Sequence, residues 1–118
     1  MHFAGFRAIG RAFGGVDAAC LPLGAYEPTW MMQTQHMAPE GSLAAFHDLQ
    51  ATHFVGMHWG TFDLSNEPMD AGVRFLSEAV QAQSLPVDRF QLLRTGGSLA
   101  LEGEAGRTVA HTTGRFEP

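Results

Sequence analysis

Lysine is absent from this sequence, and cysteine occurs once. All seven basic residues are arginines, at 7, 11, 74, 89, 94, 107 and 115, set against twelve acidic residues for a net charge of -5. So sparse a scatter excludes binding along a phosphate backbone, and no nucleic-acid partner is expected. Without lysine no GxxxxGK[ST] phosphate loop can be built, and no GxSxG nucleophile elbow occurs either. The single cysteine, Cys20, rules out an internal disulfide and points to a reducing, cytoplasmic setting. Its neighbours Ala18, Ala19 and Leu21 predict a buried small hydrophobe, which weighs against a Cys–His dyad. Apolar runs fall far short of the roughly 20 residues of a membrane span, and the N-terminus lacks a continuous apolar signal core. At 118 residues the chain is one domain's worth, so a soluble domain with no transmembrane segment is expected.

What is present alternates between two periods. "AGFRAIGRAFGG" spaces Phe6, Ile9 and Phe13 helically, with Gly14 and Gly15 as a stop. "VDAACLPLG" and "THFVGMHWG" are nearly continuous apolar runs, the pattern of strands covered on both faces. Between them lie a long segment, 25–40, dense in aromatic, methionine and histidine residues, and a helix opened by Pro39 and Glu40. "TFDLSNEPMDA" leads into a helical pattern, "GVRFLSEAVQAQSL", with Ser65 or Asn66 as its cap. "RFQLLR" predicts a third, shorter strand, and "TGGSLALEG" a hairpin through Gly96 and Gly97. Strands separated by helices mean an α/β domain over residues 1–102, and 103–118 reads as a flexible tail. Three helices with three or four strands make half of a layered α/β domain.

Six histidines stand at 2, 36, 47, 53, 58 and 111, none paired at HxH or HxxxH spacing. No complete metal site follows from spacing. His58 closes an apolar strand, and ligands of open α/β sheets gather beyond the C-terminal strand ends. Spacing alone leaves a core imidazole bonded to a carbonyl as the competing reading. Tyr26 and Glu27 emerge past the preceding strand, so Tyr26, Glu27, His36 and His58 could share one edge. Trp30, Met31, Met32 and Met37 either fill space under a loop or form an adaptable apolar rim. Asp63 and Glu67 are assigned to the turn and to the helix N-terminus.

Taken together, "LPLGAYEP", "QHMAPEGSLAAFHDL", "GMHWGTFDLSNEP" and "LPVDRFQLL" resemble the C-terminal half of the metallo-β-lactamase-fold hydrolases. The branch is the one typified by N-acylphosphatidylethanolamine-hydrolysing phospholipase D. The resemblance covers about residues 3–95 and implies part of an αββα sandwich that holds two zinc ions between its sheets. It implies His58 as a metal ligand, His36 as a substrate-side residue and a phospholipid-like phosphodiester as substrate; the strand-end reading adds Tyr26 and Glu27 to the substrate side. The family's HxHxDH motif and bridging aspartate do not occur in this sequence, and His2 does not replace the aspartate. Catalytic zinc normally has three protein ligands, so the chain is expected to be an inactive fragment by itself. Two alternatives stand beside that reading. One is a non-catalytic half-domain that forms a homodimer or complements a separate N-terminal half; the other is a lactone or ester hydrolase of the same fold.

Overall fold

The computed structural model describes residues 2–104 and 107–112, and describes no side chain beyond residue 101. Helix α1 (Gly5–Phe13) ends where Gly14 turns left-handed, φ 68°, the stop expected of a glycine at that place. Strand β1 (Ala18–Pro22) follows, then a single turn α2 (Thr29–Met32) inside the long segment, and α3 (Pro39–Asp48) with Pro39 in its first turn. Strand β2 (His53–Met57), helix α4 (Ala71–Ala82) and a 3₁₀ turn at Val87–Arg89 lead to β3, only Phe90–Gln91.

The three strands form one parallel sheet in the order β1-β2-β3, as strands separated by helices should. In register, Ala19 stands beside Phe54 and Phe54 beside Phe90. On that face Ala19, Leu21, Leu23, Phe54, Phe90 and Leu92 are buried with Leu43, Ala45 and Phe46 of α3, Leu49 at its C-terminal end, and Leu76 and Val80 of α4. Phe46, Phe54 and Phe90 form its aromatic centre, with ring centroids 5.0–5.9 Å apart. Arg89 ties the sheet to the turn before β2 by donating to the Thr52 and Ala51 carbonyls, 2.7 and 2.6 Å, while its guanidinium lies over Phe46.

The opposite face departs from the expectation of cover on both sides. Pro22, His53 and Gln91 at its margins are buried, but Cys20 and Met57 are exposed and Val55 is half-buried. Cys20 is therefore not a core residue. Its apolar neighbours point to the helix-covered side, and strand alternation turns Cys20 the other way.

Two local expectations also change. Helix α4 begins at Ala71 with Asp70 as its cap residue, so neither Ser65 nor Asn66 caps it. Gly96 and Gly97 form a turn closed from the Gly97 amide to Arg94, 2.7 Å, and the hairpin lies further on. It pairs β4 (Leu99–Glu104) with β5 (Arg107–Thr112), so part of the segment read as a tail is strand. The β-branched Thr108, Val109 and Thr112 favour that extended backbone. Positions 105–106 and 113–118 lie outside the described residues.

Candidate functional site

Two loops leave the C-terminal ends of adjacent parallel strands, residues 23–28 after β1 and 58–70 after β2. Between them lies a cavity of about 360 Å³, walled by Gly24, Ala25, His36, His58 and the run Trp59–Ser65 with Glu67 to Met69. Strand ends of this kind collect ligands because side chains from several loops converge there.

His58 enters the cavity from the first residue past β2, with φ 57°. A non-glycine residue in the left-handed region is uncommon and costs on the order of 1–3 kcal/mol, sustained only where the surroundings enforce it. Its imidazole is exposed, which removes the competing reading of a core histidine. The core imidazole is His53 instead, whose Nδ1 lies 3.1 Å from the Asp17 carbonyl. His36 reaches the same cavity from the segment after α2, carried back by the Gln35 and His36 amides donating to the Met32 carbonyl, 3.0 and 2.8 Å. The two rings are 6.4 Å apart between centroids, edge to face.

Tyr26 and Glu27 do not line this cavity. Tyr26 borders a neighbouring one of about 220 Å³ with His2, Thr29, Gln33, His36 and Met37, so His36 stands between the two. Burial pushes the Tyr26 phenol pKa up, and the carboxylates of Glu67, Glu40 and Glu27 push it further. Glu27 instead binds the first residue of α2: its carboxylate accepts from the Thr29 amide at 2.9 Å and from the Thr29 hydroxyl at 3.0 Å. Of the methionine-rich segment, Met37 is buried, whereas Trp30 and Met31 are 75% and 53% exposed. With Phe62, Leu64 and Met69, all exposed on the cavity wall, apolar side chains dominate both loops.

Glu67 is the residue that sequence reasoning placed wrongly. Its Oε1 accepts from the amides of Ala25 and Tyr26, 2.6 and 3.3 Å, and from the Ser65 hydroxyl, 2.7 Å; its Oε2 accepts from the Glu27 amide, 3.0 Å. It serves the loop after β1 and not the start of α4. Burial pushes the Glu67 carboxyl upward, but the hydrogen bonds from Ser65 and from the backbone outweigh it and hold the pKa below the usual value. Nothing in "SNEP" separates this use of a glutamate from a helix-start glutamate; only the facing row of unpaired amides does.

Among the described residues no three His, Cys, Asp or Glu side chains gather where they could hold one metal ion. His58 and His36 together offer two imidazoles, short of the three protein ligands of catalytic zinc. The residues present therefore do not make a zinc centre by themselves.

A family model for the beta-lactamase superfamily domain matches residues 2–59, which include α1, β1, α3, β2 and both cavity histidines. The chain is similar to N-acyl-phosphatidylethanolamine-hydrolyzing phospholipase D 1 of Caenorhabditis elegans, 36% identical over 70 residues, covering 55% of this chain and 20% of that protein. It is 43% identical over 63 residues to the mitochondrial N-acyl-phosphatidylethanolamine-hydrolyzing phospholipase D of Saccharomyces cerevisiae, covering 52% and 14%. An uncharacterized protein of Mycobacterium tuberculosis is 34% identical over 85 residues, covering 70% and 22%. The matched stretch thus spans about a fifth or less of each relative's length. Fold and matches together support a class: the chain is an α/β domain that resembles part of the metallo-β-lactamase-fold hydrolases. Within that class the resemblance is to the N-acylphosphatidylethanolamine-hydrolysing phospholipase D type.

Proposed function

We propose that this chain supplies one wall of the active site of a metal-dependent phosphodiesterase acting on a phospholipid-like substrate. The observation that carries the reading is the meeting of His36, from the segment after α2, and His58, from the end of β2, in one cavity. In this reading His58 contributes one zinc donor and His36 faces the substrate's polar group, while the exposed Phe62, Leu64 and Met69 accommodate apolar chains. The bound zinc would supply Lewis acidity and an activated water. The remaining donors belong to a segment this sequence does not contain. Tyr26 borders the adjoining cavity, which His36 also lines, and Glu27 shapes the loop between β1 and α2. A single exposed thiol suits a reducing compartment such as the cytoplasm, although the yeast relative's name places that protein in mitochondria.

The test is complementation. The purified chain alone should hold zinc only weakly and leave a bis-aryl phosphodiester intact. Mixed with an N-terminal segment of a relative, it should bind zinc tightly and hydrolyse that substrate, with activity lost in His58→Ala. A stable, zinc-loaded complex without phosphodiesterase activity, yet active on an aryl ester or lactone, would replace this reading with the ester hydrolase.

One further reading is favoured by a specific observation: the open sheet face around Cys20, Val55 and Met57. Parallel sheets are nearly always covered on both sides. A non-catalytic half-domain that dimerises through this face would account for it, and would elute from size-exclusion chromatography as a metal-free dimer.

A further inference from the structure

The structure assigns to Glu67 the task of positioning His58: its carboxylate holds the loop after β1 against the backbone of His58, and thereby fixes the imidazole opposite His36. This inference rests on the reading of the two histidines as the working groups of the site.

Two residues past adjacent strand ends adopt left-handed backbone without being glycine, Ala25 at φ 61° and His58 at φ 57°. Such conformations persist only where neighbouring groups over-determine them. At Ala25 the enforcing contact is visible, since its amide donates to Glu67 Oε1 at 2.6 Å, the shortest of the four bonds to this carboxylate. The Tyr26 and Glu27 amides follow, so three successive N–H groups converge on one anion. Such a concave row of amides is a ready anion site, and here the chain's own glutamate occupies it.

His58 makes no bond to Glu67, and the link between them is steric. Gly24, the residue before the latched amides, lies so close to the His58 carbonyl that a methyl group on Gly24 would overlap that oxygen; beyond the His58 carbonyl, the next atom in reach is Glu67 Oε1. The packing continues into α4, where Gly72 sits against the Leu23 carbonyl. The Asn66 amide donates to the Glu27 carbonyl at 3.3 Å, a second tie between the same loops. Pressed from the side by Gly24, the His58 peptide has little freedom to leave its left-handed conformation. Releasing Glu67 frees residues 24–27, and with them the wall against which His58 rests.

The test uses nuclear magnetic resonance of the free chain labelled in its histidine rings, without metal or substrate. Wild type should show a cross-peak between the His36 and His58 rings and a strongly shifted Ala25 amide. Glu67→Gln, equal in size but uncharged, should lose the ring cross-peak. It should also lower the ultraviolet titration midpoint of Tyr26, the sole tyrosine. Gly24→Ala, which keeps the carboxylate but forces the loops apart, should lose the cross-peak too. Arg7→Gln, which removes the ion pair of this exposed arginine with Asp48 and leaves the His2–Asp48 pair in place, should keep it. Ser65→Ala removes one bond to Glu67 and serves as the milder variant if Glu67→Gln does not fold; it should weaken the cross-peak. Retention of the ring contact in Glu67→Gln, or in Gly24→Ala, overturns the proposal. Absence of hydrolysis in the complementation assay would count against the phosphodiesterase reading and leave the latch standing.

Discussion

A carboxylate that accepts hydrogen bonds from successive amides is stabilising only while it is ionised, and Glu67 makes the fold of two loops depend on that state. Its pKa in the folded chain lies below the ordinary 4.5. The stabilisation is therefore complete above the unfolded value and is lost as pH falls through the lower, folded one. Urea titrations should show stability declining in that acid window, with the decline shallower in Glu67→Gln. At neutral pH the same substitution should cost about 1.5–3 kcal/mol, the range for hydrogen bonds to a charged group. The two histidines illustrate how far residue chemistry can be read from order alone. Position at a strand end singled out His58, but exposure was needed to separate it from His53, five residues earlier and buried.

Elements were easier to foresee than the contacts between them. Helical spacing located α1, α3 and α4, with glycines marking the end of α1 and Pro39 the start of α3, and apolar runs located β1 and β2, because those signals are local. The loops were not legible in the same way: Glu67 lies 42 residues from Ala25 in sequence, and no local pattern records their bond. Nor could apolar runs show which face of β1 is covered, since "AACLP" is apolar on both. Packing energy is concentrated where α3 meets β2 and β3, in the stack of Phe46, Phe54 and Phe90. Phe54 is fully buried on the central strand of the sheet. Phe54→Ala should lower stability by about 3–5 kcal/mol, the usual cost of an emptied aromatic site. A chain of this size that survives the change with a melting temperature within a few degrees of wild type would show that its core lies elsewhere.

At the scale of the whole molecule, the asymmetry of the sheet governs what the chain can do. One face is closed by α3 and α4, while the centre of the other presents Cys20, Val55 and Met57. A parallel sheet left half-covered forfeits burial that a second layer would supply, so an added copy or a complementing segment should bind there. Cys20 is a built-in reporter, because it is the only thiol and stands on this face, beside Val55 in register. In dilute solution it should react with an aromatic disulfide reagent about as fast as the thiol of the denatured chain. On complementation, or on concentration into a dimer, the rate should fall by at least about tenfold, the factor that each 1.4 kcal/mol of protection confers. The same assembly should leave the cavity mouth open, since the cavity of His36 and His58 lies beyond the C-terminal strand ends and not on the open face. If Cys20 stays fully reactive in a demonstrated complex, the partner binds elsewhere, and the half-covered sheet is then the stable state of this domain.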